Sequence, residues 1–300
     1  MPSPAFVLKV DVDTHVGLRE GAPRLLDLFA RHGVRASWFV TMGPDRTGRA
    51  ALRVFTQRGF LKKMMQSRAP RLYPLSTMLR GTLLPSVPVV ARHPDRLEAI
   101  EAAGQEVGIH GFDHVYWHDR LHGMSPEEVG AEVQRAAVLF EDILGRSPDT
   151  FAAPGWQCSE TSLRATDALG LRCRSDTRGT HPYLPLAGNY QSPTPEIPTT
   201  LPTLDELLGE GKSGSSLVDG YVERIDARGL NVHTVHTEVE GAAYLTQLDE
   251  LLGRVRDELP VRTLGEVAHD LADQGRLPVG RVTLGSLPGR GGRVSCQEEV

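Results

Sequence analysis

The chain has 300 residues, of which 40% are hydrophobic and 24% charged, and its formal net charge is −5. These values fit one soluble α/β domain of barrel size better than two small domains. The three cysteines are never spaced as C-x-x-C, which argues against a disulfide framework and against a cysteine zinc site. No apolar run is long enough to span a membrane.

The first predicted strand covers residues 6–12, and Asp11-Val-Asp13 lies at its end. On an extended strand these two carboxylates share a face, where each raises the other's pKa. A divalent cation removes that conflict, although a helix cap or turn role for one of them is the alternative. Because the strand occupies the place of a signal peptide, we expect the protein to stay on the cytoplasmic side.

A helix over residues 21–32, stopped by Gly33, and a strand over residues 34–40 come next. Strand, helix and strand joined by short connections predict a parallel sheet.

Residues 44–95 form a long insertion that is basic and rich in Leu and Met. From Asp45 to Arg96 there are eleven Arg or Lys residues and two acidic residues. Such a basic amphipathic segment favours contact with an anionic membrane surface. A helical pair packed on the domain is an alternative, whereas the acidic remainder of the chain and the few aromatic residues disfavour nucleic-acid binding.

The stretch from Gly108 to His114 is the strongest candidate for a functional site in the sequence. The predicted strand 106–109 runs into a loop that carries His110 and His114. Two imidazoles four residues apart can bind one divalent ion if the backbone turns helically after the first. Surface or helix-capping histidines are the alternative.

The remaining pattern predicts strands at 150–153, 171–174 and 230–236, separated by helices. Five predicted strands end in polar or turn-forming groups, which are Asp11 and Asp13; His110 and His114; Pro154-Gly155-Trp156; Asp176 and Arg178; and His236, Glu238 and Glu240. Active sites of parallel α/β barrels lie at the carboxyl ends of the strands, so we expect one site built from these residues.

In this order, Asp11-Val-Asp13-Thr, His110-x-x-x-His114, Ala153-Pro-Gly155, Asp176 and His236 resemble the motifs of the NodB-like polysaccharide deacetylases. Longer stretches, such as 175–179, 197–203 and 236–241, resemble the members that deformylate 4-deoxy-4-formamido-L-arabinose carried on undecaprenyl phosphate, for lipid A modification and polymyxin resistance. The resemblance implies one α/β domain over residues 1–300, a distorted (β/α) barrel that includes the basic insertion at 44–95. The Gly- and Arg-rich composition of the carboxyl-terminal end predicts an irregular tail over 277–300.

The resemblance also implies roles for individual residues. Asp13, His110 and His114 would bind one divalent metal ion, which could be Zn, Co, Mn or Fe. The other implied roles are a general base for Asp11, a general acid for His236, orientation of His236 by Asp176, and oxyanion stabilisation near Gly155 or Trp156. Glu238 and Glu240 are absent from the broad family pattern; contact with the sugar or its amine and structural ion pairs are the two alternatives for them.

One position departs from the family pattern. The wider family has an arginine before the Pro-x-Gly turn, oriented toward the catalytic aspartate, whereas this chain has Phe151-Ala-Ala153. We therefore expect Arg178 to take over charge compensation or to bind the substrate phosphate.

The substrate expected from the resemblance is a polyprenyl-phosphate aminosugar lipid. We therefore expect a peripheral protein on the cytoplasmic face of the bacterial inner membrane that contacts anionic lipid. A deacetylase of another N-acylated aminosugar is a second interpretation, disfavoured by the missing arginine and the missing export signal. A non-catalytic glycolipid-binding barrel is a third, disfavoured because every expected site position is filled.

Overall fold

The computed structural model describes residues 3–51, 79–273, 275 and 277–300. In that part of the chain the strands are β1 (Ala5–Val12), β2 (Ser37–Val40), β3 (Pro44–Asp45), β4 (Val87–Pro88), β5 (Glu106–Ile109), β6 (Thr150–Phe151), β7 (Cys173–Arg174), β8 (Leu184–Ala187), β9 (Tyr190–Gln191), β10 (Leu230–His236), β11 (Val261–Arg262), β12 (Val279–Gly285) and β13 (Val294–Glu299). The α-helices are α1 (Ala22–His32), α2 (Thr47–Ala51), α3 (Pro94–Ala102), α4 (His114–Arg120), α5 (Pro126–Leu144), α6 (Glu160–Asp167), α7 (Leu204–Gly209), α8 (Ser215–Val222), α9 (Leu245–Val255) and α10 (Leu264–Asp273).

The main sheet has seven strands in the order β10-β1-β2-β5-β6-β7, with β11 also paired to β1. Every pairing in it is parallel, as alternating strands and helices require. The sheet curls into a half-barrel, and the prediction of a distorted (β/α) barrel is confirmed.

The two faces of β1 show how the sheet is buried. Its even-numbered residues pack with the helices in the larger hydrophobic core, and they are Phe6, Leu8, Val10 and Val12. Ala5 and Val7 belong to a second core that fills the barrel interior. Because side chains alternate along a strand, Lys9 and Asp11 continue that interior face.

Helix ends follow the signals in the sequence. Ser125 and Glu128 form a capping box at the start of α5, and Gly145 ends that helix with φ 67°. Gly33 ends α1 with φ 63°.

The carboxyl-terminal segment is ordered, and the prediction of an irregular tail over 277–300 is wrong. Strands β12 and β13 form an antiparallel hairpin, and β12 pairs in parallel with β8. The glycines and arginines of the segment suggested a loop, but sheet neighbours satisfy its backbone hydrogen bonds, and Val294 and Ser295 are buried.

The basic insertion leaves and rejoins the barrel at adjacent points. Strands β3 and β4 pair antiparallel, with Pro44 opposite Pro88 and Asp45 opposite Val87. The predicted membrane-facing part at 52–78 lies outside the described residues. Within the described ranges, none of the helices has the length and apolar character needed to cross a bilayer.

Candidate metal centre and active site

Asp13, His110 and His114 come together at the carboxyl ends of β1 and β5. One potential ligand atom from each residue lies within 4.8 Å of the others. Nε2 of His110 is 3.4 Å from Oδ1 of Asp13, and Nε2 of His114 is 3.5 Å from Oδ2 of Asp13. The structure therefore brings together the three residues that were predicted as metal ligands.

The local backbone aims both imidazoles at Asp13. The His110 N–H donates to the carbonyl oxygen of Val40 at 2.9 Å, which continues the pairing of β5 with β2. Nδ1 of His110 lies 2.8 Å from the carbonyl oxygen of Ala152, so Nε2 is the nitrogen that faces Asp13. His114 is the first residue of α4, and this helical turn directs its ring to the same place.

The chemistry of this donor set fits a divalent metal ion. Oδ1 of Asp13 is buried and has no hydrogen-bond partner within the described part of the chain. Burial raises the pKa of Asp13, but the imidazoles of His114 and His110 outweigh it and hold that pKa well below its ordinary value. A carboxylate and two imidazoles are ligands that Zn, Co, Mn and Fe accept.

Asp11 lies beside the three candidate metal ligands, on the interior face of β1. Its Oδ2 atom is 3.9 Å from Nε2 of His110 and 3.4 Å from Nζ of Lys9. Its Oδ1 atom is buried and makes no hydrogen bond with the residues that the structure describes. A carboxylate with one oxygen free of hydrogen bonds, next to a site for a single metal ion, can accept a proton from water.

His236 ends β10 and is the register partner of Asp11 on the neighbouring strand. Burial lowers the pKa of His236, but the surrounding carboxylates, chiefly those of Asp13, Glu240 and Asp11, raise it to about 9. The imidazole is therefore protonated at neutral pH, which is the form that a general acid requires.

Glu238 and Glu240 are buried just beyond His236. Oε2 of Glu240 accepts a hydrogen bond from the His236 N–H at 2.7 Å, and Oε2 of Glu238 accepts one from the Thr237 hydroxyl at 2.8 Å. In both residues Oε1 is buried without a hydrogen-bond partner in the described structure. Burial raises the pKa of Glu238 to about 8 and that of Glu240 to about 7. Neither forms an ion pair with a Lys or Arg among the described residues.

The turn after β1 packs closely against this segment. A Cβ atom on Gly21 would lie 1.9 Å from the carbonyl oxygen of Thr237, and one on Gly17 would lie 2.4 Å from Oε2 of Glu238. Glycine alone permits this approach. The contact fixes the end of β10 beside the end of β1.

The turn Pro154–Trp156 forms another side of the site. Gly155 has φ 59°, and a Cβ atom there would lie 2.0 Å from Cδ2 of His118, so this position requires glycine. The Trp156 N–H donates to the carbonyl oxygen of Ala153 at 3.1 Å. The Trp156 N–H is therefore already engaged in a hydrogen bond within the turn. Of the two predicted oxyanion donors, a role for the backbone at Gly155 stays a prediction.

Asp176 is buried just beyond the end of β7. Burial raises the pKa of Asp176 to about 6, and the charges of Arg174 and Lys9 oppose that rise. Its N–H donates to Oε1 of Glu196 at 2.8 Å. Orientation of His236 by Asp176 stays a prediction.

Arg178 makes structural contacts in the folded chain. Its Nη1 donates to Oε1 of Glu206 at 2.6 Å, its Nη2 to the carbonyl oxygen of Leu201 at 2.9 Å, and its Nε to that of Thr199 at 3.3 Å. The side chain is 8% exposed. All three nitrogens hold the 199–206 segment, and Arg178 forms no ion pair with Asp11 in the described part of the chain; charge compensation and phosphate binding by Arg178 stay predictions.

Three residues near the site were not predicted from the sequence. Lys9 is fully buried beside Asp11, His118 stacks on His114 with a centroid distance of 6.5 Å, and Arg290 lies 4.7 Å from the Trp156 ring. A lysine inside an otherwise apolar strand was a visible signal. Arg290 had none, because long-range strand pairing brings the tail to the site.

The chain is similar to a known protein family and to individual proteins. The family model described as "Polysaccharide deacetylase" matches residues 3–173. A protein of Shewanella sediminis (strain HAW-EB3), named "Probable 4-deoxy-4-formamido-L-arabinose-phosphoundecaprenol deformylase ArnD", is 36% identical over 251 residues, which are 83% of this chain and 81% of that protein. A protein of Wigglesworthia glossinidia brevipalpis with the same name is 24% identical over 298 residues, covering 95% of this chain and 99% of its own.

Solved structures show the same fold. The structure of a "putative polysaccharide deacetylase" from Mycobacterium smegmatis superimposes with a TM-score of 0.63 at 18% sequence identity. The match covers 95% of this chain and 96% of the other, so the likeness in fold extends over nearly the whole chain.

Proposed function

The chain belongs to the polysaccharide deacetylase family, and on this premise we propose that it removes the formyl group from 4-deoxy-4-formamido-L-arabinose linked to undecaprenyl phosphate. The observation that carries the proposal is the cluster of Asp13, His110 and His114, with Asp11 beside it and His236 next to Asp11. The names of the two relatives supply the substrate. Such a step would serve the aminoarabinose modification of lipid A.

The reaction is the hydrolysis of a formamide. Water adds to the formyl carbon, the C–N bond breaks, and formate and a primary amine leave. Asp11 accepts a proton from the attacking water at its unengaged Oδ1. His236, which is protonated at neutral pH, gives its proton to the leaving nitrogen.

Asp13, His110 and His114 would hold one divalent ion, which when bound polarises the formyl carbonyl and makes water a nucleophile at neutral pH. The bond between Nδ1 of His110 and the carbonyl oxygen of Ala152 fixes the ring so that Nε2 points toward the cluster. Zn, Co, Mn and Fe all accept this donor set.

Glu238 and Glu240 are the groups that we assign to the sugar and its amine. Each offers a buried Oε1 atom with no partner among the described residues. A buried polar atom without a partner is costly, and a substrate hydroxyl or amine would satisfy it. The raised pKa of both carboxyl groups means that they can donate as well as accept near neutral pH.

A polyprenyl carrier stays in the bilayer, so the site must be reached from the membrane surface. The basic insertion suits contact with anionic lipid. The part of the insertion that the structure describes lies near the candidate metal ligands. Arg46 forms an ion pair with Asp113, which is the N-cap of the helix that begins with His114. This arrangement places the insertion near the site, and we propose a peripheral position on the cytoplasmic face of the inner membrane.

The experiment is to measure formate release from the formamido-arabinose lipid and acetate release from its N-acetyl analogue, with Zn, Co or Mn supplied. We expect formate from the first substrate at a higher kcat/KM. Faster acetate release would favour the deacetylase of another N-acylated aminosugar. Absence of product from both substrates, with metal bound, would contradict a hydrolase function.

A further inference from the structure

Lys9 places a charge in the interior of the barrel. It precedes Asp11 by two residues on β1, so both side chains point to the interior face. Its exposure is 0%, and its Nζ atom lies 3.4 Å from Oδ2 of Asp11. The preceding residues on that face, Ala5 and Val7, are apolar.

The surroundings of the ammonium group fix its position. Nζ donates to the carbonyl oxygen of Ser175 at 3.3 Å, beyond the end of β7. It also lies 5.2 Å from the ring centroid of Trp156 and 5.6 Å from that of Phe39. A charge buried this deeply destabilises a fold unless it is paired. The fold therefore retains Lys9 for its interaction with Asp11 and its neighbours.

The other buried cations nearby are engaged elsewhere. Arg178 is bonded to Glu206, and Arg174 is bonded to Asp167. Among the residues that the structure describes, Lys9 is the one Lys or Arg that forms an ion pair with Asp11.

We propose that Lys9 is the positioning residue of the catalytic base. It holds Asp11 by Oδ2 and offsets its charge, which leaves Oδ1 turned toward the attacking water. The inference rests on the role of Asp11 in the proposed function. A lysine that merely ties β1 to Ser175 would stabilise the fold without a specific effect on turnover.

The test compares Lys9→Met, which keeps the volume and removes the charge, with Lys9→Arg, which keeps the charge. For Lys9→Met we expect kcat to fall about 100-fold, the effect of a misplaced catalytic group, with KM changed less than about threefold. Affinity for Co²⁺, measured by its absorption spectrum, should match the wild type. Lys9→Arg should recover at least about a tenth of the wild-type kcat.

A double variant separates positioning from plain stability. If Lys9 acts through Asp11, Lys9→Met added to Asp11→Asn should cause no further loss of kcat. A kcat of Lys9→Met within about threefold of wild type would overturn the proposal, and so would a second loss of equal size in the double variant. Should Lys9→Met not fold, Lys9→Gln keeps a donor for Ser175 and carries the same expectations.

The wild type is the reference for all of these ratios. If it releases no formate from the formamido lipid, the proposed function fails by itself. The Lys9 variants are then compared on the N-acetyl analogue, where the same ratios decide the role of Lys9.

Discussion

Asp11 and His236 are register partners on two adjacent parallel strands, β1 and β10. Their surroundings differ in charge, because Asp11 lies against the Lys9 ammonium group and His236 is surrounded by carboxylates. The Asp11 carboxyl group and a protonated imidazole therefore lie side by side, next to the three candidate metal ligands. Amide hydrolysis requires this pair, one group to take a proton from water and the other to give one to nitrogen.

The protonation state of His236 predicts an alkaline limit to activity. The carboxylates around it raise its pKa to about 9. His236 is therefore protonated, and able to act as the general acid, at neutral pH, and it loses this proton as the pH rises through 9. We expect wild-type kcat to fall above that pH. His236→Gln should lower kcat by about 100-fold or more and show no alkaline limb. An alkaline limb that persists unchanged in the variant would assign the titration to another group.

Removal of the metal should abolish activity reversibly. We expect a chelator to stop turnover and added Zn, Co or Mn to restore it. His114→Asn should weaken metal affinity by at least about 100-fold, because it removes a ligand. His118→Asn is the matched control, since its ring stacks on His114 outside the three-residue cluster. Equal metal loss in both variants, measured by isothermal titration calorimetry, would count against the assigned ligand set.

Arg178 should matter for stability. Arg178→Met leaves the Glu206 carboxylate buried without its closest cation, and we expect the free energy of unfolding in urea to fall by about 3 kcal/mol. Arg256→Met, at an exposed pair with Asp257, should change it by less than about 1 kcal/mol. If Arg178→Met were as stable as wild type but had a raised KM, a substrate-phosphate role would be supported.

The basic insertion should direct the protein to anionic membranes. We expect cosedimentation with liposomes that contain phosphatidylglycerol and little with neutral liposomes, and the binding should weaken with salt. A variant in which four basic residues of the insertion are neutralised should lose this liposome binding. The four residues are Arg58, Lys62, Lys63 and Arg68.

A control variant removes the same charge from exposed arginines elsewhere, which are Arg31, Arg135, Arg164 and Arg256. Equal binding by wild type and both variants would refute the membrane role of the insertion.

Much of the site could be predicted because it depends on local sequence. Apolar runs that end in Asp11, His110 or His236 mark strand ends, and a parallel barrel brings strand ends together. The grouping of the three candidate metal ligands follows from this convergence of strand ends. The pattern also contained Lys9, a charge in the middle of an apolar strand, whose importance becomes visible only when its burial is known.

What the sequence did not reveal depends on long-range pairing. The bond between Arg178 and Glu206 joins residues 28 positions apart, and no local pattern indicates it. The hairpin of β12 and β13 was missed since β12 pairs with β8, a strand in a proline-rich segment. Such contacts carry no local periodicity, so composition favoured a loop.

The most direct test of the mechanism is to measure metal content and formate release for wild type and Asp11→Asn. The asparagine keeps the size of the side chain but cannot accept the proton of the attacking water. We expect one metal ion per chain in both proteins and a fall in kcat of at least about 1000-fold in the variant. A variant that binds metal and keeps kcat within about tenfold of wild type would show that Asp11 is not the base.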